Sequence, residues 1–379
     1  MQSTTRHARL LTPCGWLDAD ITFDTRIRAI VPRAAEAGQR LPVMLPGFID
    51  LHCHGGGGRD IMQGGDAAPA VSRTHARHGT TSFLATTMTA PAEDIEAALR
   101  ALAPHVAQRP QGGARILGVH LEGPYISPHK LGAQPPNAVP GRAAEFDAWN
   151  AIAPIRVCTI APEMPGHLEM LTHLVSRGAR AQLGHSTGSY EAAVAALNAG
   201  ASSFTHLFNA MSALHHREPG LVGAALAHAT HSEIIPDLLH VHPGAIRAAW
   251  RCIPGLFAVT DATSATGMPD GDYRLGSHTV HKCLGGVRLA DGTLAGSCLT
   301  MDQALRNLVH GVGLSLAEAS HALSRHPAQF LQLPDRGQIA VGQFADLVVL
   351  DEALALQEVF VEGEGIAPAP AAAPAAAMA

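Results

Sequence analysis

Basic charge is scarce in this sequence: 26 Lys and Arg stand against 32 Asp and Glu, a formal charge of −6. A surface with that balance lacks the positive footprint that neutralises a nucleic-acid backbone, so nucleic acid is not an expected partner, whereas a local pocket for a small anion stays compatible. Charged residues of either sign make up only 15% of the chain and hydrophobic ones 47%, which excludes a disordered protein, because a chain this apolar must bury most of its length. The six Cys are widely spaced and form none of the close pairs of a zinc knuckle or a disulfide framework. They read as reduced thiols of a cytoplasmic protein. No stretch approaches the roughly 20 apolar residues that span a bilayer, and Met1–Leu11 has no apolar signal core, so neither membrane insertion nor export is expected. Aromatic residues, at 4%, are too few for stacking platforms; His, at 23, is plentiful, and points to chemistry run on imidazoles and carboxylates.

The length of 379 residues suits one barrel with a small appendage or two ordinary domains. Residues 1–45 hold short apolar pieces, Ile21–Phe23 and Ile27–Val31 among them, punctuated by Pro and Gly, as in short strands. From Pro46 the pattern changes to brief β-rich runs alternating with Ala-rich amphipathic stretches, which is the mark of repeated strand–helix units. Eight strands are expected: 47–50, 81–87, 116–121, a run ending at 159–161, 181–183, 203–207, 233–238 and 256–260. Helices are expected at 92–105, 168–176, 189–198, 243–252, 297–310 and 316–323. The expected fold class is therefore α/β, a (β/α)₈ barrel over residues 46–330. Strand-like runs at 338–341 and 345–350 would join the N-terminal material, so that 1–45 and 331–366 together make one small β domain. Residues 367–379, nearly all Ala and Pro, are expected to be disordered.

His52 and His54 follow an apolar strand, and residues two apart on a strand share a face, so both imidazoles can reach one metal. Asp50 shares their parity; Cys53 points the other way and reads as packing. His120-Leu121-Glu122-Gly123-Pro124 repeats the pattern, and a carboxylate at the end of a buried strand is costly unless paired or metal-bound. His185 ends the expected fifth strand, His206 lies in the sixth, and Asp261 ends the eighth. These groups fall at the C-terminal strand ends, where barrels build their sites. Zn²⁺ suits the donor set best, with Fe²⁺, Mn²⁺ or Co²⁺ able to take the same ligands. If Glu122, His185 and His206 hold the cation, it can activate water, and Asp261 is free to take the proton and return it to a leaving amine. Asn209, Arg217 and His240 lie in loops on the same rim, and Arg217 could grip a phosphoryl group through two hydrogen bonds. Gly55–Gly58 lacks a following Lys-Ser/Thr and is no nucleotide phosphate loop.

With these residues in place, the chain resembles the amidohydrolase superfamily and, within it, the N-acetylglucosamine-6-phosphate deacetylases. The likeness runs from Leu45 to Asp351 through Pro46-Gly-Phe-Ile-Asp-Leu-His-Cys-His-Gly55, His120-Leu-Glu-Gly-Pro124, Gly184-His185-Ser186, Thr205-His-Leu-Phe-Asn-Ala-Met211, Arg217-Glu-Pro-Gly220 and Thr260-Asp-Ala262. It implies deacetylation of N-acetyl-D-glucosamine 6-phosphate, with release of acetate. It implies Glu122, His185 and His206 as ligands of a first metal, His52 and His54 as ligands of a second, and Asp261 as the acid–base group. It also implies substrate contacts by Ala133, Gln134, Asn209, Ala210, Arg217 and His240, and a homodimer in which His240 crosses to the neighbouring subunit. Two departures stand out. Gln134 occupies a place where many members have His, and Leu238–Leu239 precedes His240 where Gly is common. N-acetylgalactosamine 6-phosphate and, in another class, N-acyl amino acids are the alternative substrates; a non-catalytic sugar-phosphate binder has nothing positive in the sequence to favour it.

Overall fold

In a computed structural model, residues 3–370 of the chain are described. Strands and helices follow the burial pattern of the sequence, and two sheets account for most of the architecture. The first is mixed and built from both ends of the chain. β1 (Thr4–Thr12), β2 (Gly15–Phe23), β3 (Ile27–Pro32) and β4 (Val43–Pro46) join β18 (Leu347–Leu350), β19 (Leu356–Val361) and β20 (Glu364–Ile366) in the order β20-β19-β18-β4-β1-β2-β3. Leu10, Ile21, Phe23, Met44, Leu347 and Phe360 give it an apolar core of its own.

The second is a curled parallel sheet whose successive strands are separated by helices. β5 (Phe48–Cys53) is followed by a two-residue hairpin, β6 (Gly55–Gly56) and β7 (Arg59–Asp60). Then come β8 (Thr80–Thr87), β9 (Arg115–Glu122), β10 (Ile155–Ile160), β11 (Arg180–Leu183), β12 (Ser203–Phe204), β13 (His231–Ile234) and β14 (Gly255–Ala258). Six of these pair continuously in the order β12-β11-β10-β9-β8-β5, and β13 pairs with β14. The gap between β12 and β13 is crossed by the Leu207 N–H donating to the Glu233 carbonyl at 2.9 Å. The other gap is crossed by a parallel bridge from Cys53 to Ala262. The strands read as near-continuous buried runs, as strands covered on both faces must.

Several elements differ from expectation for identifiable reasons. The sixth barrel strand stops at Phe204, because His206 takes a φ of 29° and leaves the extended region. Residues 338–341 are not a strand: Gln343 N–H closes a turn onto the Ala340 carbonyl. Ser297 is held to the strand ends by donating its hydroxyl to the Thr260 carbonyl at 2.5 Å, so the helix expected from 297 starts at Met301. A three-stranded antiparallel sheet, β15 (Gly271–Leu275), β16 (His278–Cys283) and β17 (Gly286–Arg288), was not anticipated. It packs Leu275, Val280 and Val287 against Met88. Of the expected disordered tail, residues 371–379 lie outside the described residues.

The two sheets are tied by a buried ion network. The Arg336 guanidinium pairs with Asp346 and, at 2.6 Å, with Glu362, while Arg115, the first residue of β9, makes a two-pronged contact with Glu362 at 2.8 and 2.9 Å. Burial alone would raise the Glu362 carboxyl, but Arg115 and Arg336 together bring it down to about 2 from 4.5. A carboxyl depressed in this way adds stability above its unfolded value, and that contribution fades as the pH falls from about 4.5 toward 2. We predict that Arg336→Ala, by leaving the buried Asp346 carboxylate without its ion-pair partner while Glu362 keeps Arg115, lowers unfolding free energy by about 3–5 kcal/mol at neutral pH. Urea titration checks this, and a change under about 0.5 kcal/mol, the usual size at an indifferent surface position, would contradict it.

Candidate metal centre

The C-terminal strand ends converge on one buried cluster. Asp50, fully buried within β5, accepts from the Thr260 hydroxyl at 2.5 Å, the Thr260 N–H at 3.1 Å and the His52 N–H at 3.3 Å. Burial raises its carboxyl to about 6 even though these bonds oppose the rise. Asp50 thus fixes the end of β5 against the segment leading to Asp261, whose N–H donates to the His52 carbonyl at 2.9 Å.

Glu122, the last residue of β9, lies at the centre. Its Oε1 is 3.1 Å from His185 Nε2, 3.1 Å from His206 Nε2 and 3.4 Å from His52 Nε2; its Oε2 is 3.1 Å from His54 Nε2. Asp261 Oδ1 stands 3.3 Å from His54 Nε2 and 3.4 Å from His52 Nε2. His185, His206 and Asp261 all have positive φ, at 46°, 29° and 51°. Such backbone is costly for residues with a Cβ and gathers where function demands it.

The hydrogen-bond roles show that the donors fit a cation. His185 Nδ1 lies 2.9 Å from the Lys130 carbonyl, which only accepts, so its proton belongs there and Nε2 presents a lone pair. That lone pair faces Glu122 and, at 3.1 Å, His206 Nε2. Lone pairs and carboxylates turned on one another repel unless positive charge lies between them. Burial alone would lower the imidazoles, but the carboxylates hold His54 up at about 9 and His52 well above the usual histidine range. A divalent cation meets the same demand with the imidazoles neutral. Two buried trios, Glu122 with His185 and His206, and His52 with His54 and Asp261, have ligand atoms close enough to share an ion. Two more, Asp50 with Cys53 and His75, and His52 with His120 and Glu233, are differently committed: Asp50 is bound to Thr260, His75 Nε2 lies 2.8 Å from the Gly55 carbonyl, and the His120 nitrogens are bonded to the Leu51 carbonyl at 3.0 Å and the Thr159 hydroxyl at 2.8 Å.

A cavity of about 400 Å³ opens over Glu122, His185, His206, His54 and Asp261, and its walls include Ala133, Gln134, Asn209, Ala210 and His240. The Gln134 carbonyl oxygen accepts from the Thr89 N–H at 2.7 Å, which turns the amide NH₂ inward to donate to Glu122 Oε2 at 2.5 Å. His240 is held by Asp237 at 2.6 Å. Burial opposes the rise, yet Asp237 lifts its pKa. Arg217 does not line this cavity; it is exposed and its guanidinium meets His216 at 2.8 Å. Three groups were not anticipated. His129 and Lys130 line the wall with no motif to mark them. Glu233 is a buried carboxylate 3.1 Å from His52, and an acid inside an apolar strand was its one visible signal.

Residues 43–369 match the model of the amidohydrolase family. The chain is 40% identical over 374 residues to an N-acetylgalactosamine-6-phosphate deacetylase of Escherichia coli O157:H7, covering 96% of this chain and 99% of that protein. It is 38% identical over 327 residues to an N-acetylglucosamine-6-phosphate deacetylase of Lysinibacillus sphaericus, covering 84% of each. Among solved structures, it is similar to a mutant N-acetyl-D-glucosamine-6-phosphate deacetylase from Mycobacterium smegmatis in complex with N-acetyl-D-glucosamine-6-phosphate. There the TM-score is 0.90 and the identity 34%, over 96% of this chain and 99% of that one.

If the cluster needs a cation, metal-free protein should unfold at a lower temperature and recover on addition of Zn²⁺, by about 4 kcal/mol at a thousandfold excess over Kd. Differential scanning calorimetry reads the shift, and an unfolding temperature indifferent to both chelator and Zn²⁺ would contradict it.

Proposed function

The chain belongs to the amidohydrolase family, and from that membership and the geometry of its buried cluster we propose that it deacetylates N-acetyl-D-glucosamine 6-phosphate in amino-sugar catabolism. The observation that carries this reading is the convergence of Glu122, His185 and His206 within about 3 Å of one another, beneath a cavity of sugar-phosphate size. We assign these three to a first divalent cation and His52 with His54 to a second, with Zn²⁺ favoured over Fe²⁺, Mn²⁺ or Co²⁺ by the His and carboxylate donors. Such a cation supplies Lewis acidity and lowers the proton affinity of water to near neutrality.

Asp261 takes the acid–base role. Although burial opposes it, the charge of His52 and the hydrogen bond from His54 keep its carboxyl at about 2 in the metal-free protein, and a divalent cation in place of that charge acts in the same direction, so at neutral pH it is ionised and able to accept a proton. Returned to the amide nitrogen, that proton lets a neutral amine leave in place of a strongly basic amide anion. Gln134, with its amide turned inward by Thr89, can donate to charge developing on the acetyl oxygen; it carries no proton charge of its own. The sugar lies along Ala133, Asn209 and Ala210, with Asn209, His240 and Arg217 toward the phosphate. A homodimer is part of this proposal, as is a cytoplasmic location; His240 lines its own chain's cavity, so the residue a neighbouring subunit would supply is Arg217 and not, as the resemblance implied, His240. Support for a site completed at a subunit boundary comes from Arg217, outside its own chain's cavity, and from the exposed Leu239 and Leu284.

A second reading, deacetylation of N-acetylgalactosamine 6-phosphate, is favoured by the 40% identity to a protein of that name along nearly its whole length. Acetate release measured on both phosphorylated sugars and on their unphosphorylated forms decides. We predict turnover of the glucosamine compound and a loss of roughly tenfold or more without phosphate, the worth of one charge-assisted hydrogen bond. Preference for the galactosamine compound would move the assignment to the second reading, and activity only on N-acyl amino acids would overturn both. Asp261→Asn should cut kcat by about 10²–10⁴ with metal content retained at the Glu122 site; unchanged turnover would remove Asp261 from proton transfer.

A further inference from the structure

Glu233 lies within β13, wholly buried, and none of the roles assigned above uses it. Its Oε2 lies 3.1 Å from His52 Nδ1 and accepts the His206 N–H at 3.1 Å. The other oxygen, Oε1, has no hydrogen-bond partner among the described residues, and His120 Nδ1, which donates to the Leu51 carbonyl at 3.0 Å, is 3.8 Å away. A buried carboxylate left half-bonded is expensive and calls for a compensating role.

Its effect on His52 supplies one. An ionised carboxylate only accepts, so the His52 proton is drawn to Nδ1, and Nε2 is left with its lone pair toward His54 Nε2 at 3.2 Å and toward Glu122 and Asp261 at 3.4 Å. The net charge points the same way. Glu122, Asp261 and Glu233 put three carboxylates in one buried pocket with Asp50 beside them; a single divalent cation leaves it negative, and a second offsets that deficit. We propose that Glu233 is a positioning residue that builds a second divalent-cation site from His52, His54 and Asp261, beside the one at Glu122, His185 and His206. This rests on the metal reading above and deepens it. Glu233 touches neither cation nor substrate; it sets the tautomer and orientation of one ligand, as carboxylates behind metal-bound histidines do. Through the His206 N–H it also braces the backbone of the first site, so its loss reaches both sites unequally.

The test equilibrates wild-type protein, Glu233→Gln and His52→Ala with Zn²⁺ over a series of buffered free concentrations, and reads bound metal per chain by elemental analysis. Unfolding of the metal-free proteins is followed alongside. Wild type should take two equivalents and His52→Ala one. Glu233→Gln, nearly identical in shape, should fill the first site close to wild type and need about 10–100-fold more free Zn²⁺ for the second. The metal-free unfolding temperature separates a change confined to the second site from general damage to the fold. Uptake by Glu233→Gln indistinguishable from wild type, or weakened equally at both sites together with a lower metal-free unfolding temperature, would overturn the role of Glu233. Wild-type protein that never exceeds one equivalent, with Glu233 intact, would instead overturn the two-cation premise and the proposal with it.

Discussion

The structure turns on electrostatic compensation in a water-poor pocket. Glu122 is pressed against four imidazole nitrogens, and Asp261 and Glu233 add carboxylates on either side. In that setting each lone pair and each negative oxygen raises the cost of its neighbours, and only positive charge placed among them relieves it. The chemistry follows from this arrangement. In the proposed reading, a cation shared by these groups would activate water beside an ionised Asp261.

Holding such a cluster together requires rigid supports, and the fold supplies them from several directions. The participants sit at or near the ends of several strands, with His52 in β5 and His54 just past it, so the barrel core fixes the spacing. Strained backbone at His185, His206 and Asp261 turns the last side chains inward. Asp50 and Thr260 clamp β5 to the Asp261 segment, and Thr89 sets the Gln134 amide. Farther out, Arg115 begins the strand that ends in Glu122 and grips Glu362 in the turn between β19 and β20, so the terminal sheet is anchored to the strand that carries Glu122.

Much of this was legible in the residue pattern, for physical reasons. Buried parallel strands leave apolar runs, and the polar residues that end them, His52, Glu122, His185 and Asp261, are conspicuous because nothing apolar explains them. The parity of His52 and His54 follows from strand geometry, and Ser189 and Pro243 mark real helix starts. What stayed hidden depends on tertiary context. His206 lies beyond its strand in a turn, a displacement that strand periodicity cannot show. β15 to β17 bury few side chains, Leu275, Val280 and Val287 among them, and pair only with one another, so their sequence reads as loop. Glu233 was visible as a strand residue, but its partner His52 is 181 positions away. Arg217 was placed on the rim by its motif, whereas a single chain leaves it outside the cavity.

Anomalous X-ray diffraction from crystals of the metal-loaded protein, collected at the absorption edge of the bound element, addresses the central claim without relying on activity. A peak is expected about 2.0–2.2 Å from a Glu122 carboxylate oxygen and from Nε2 of both His185 and His206. Loaded protein whose anomalous signal lies elsewhere, with those three side chains binding no ion, would contradict the account.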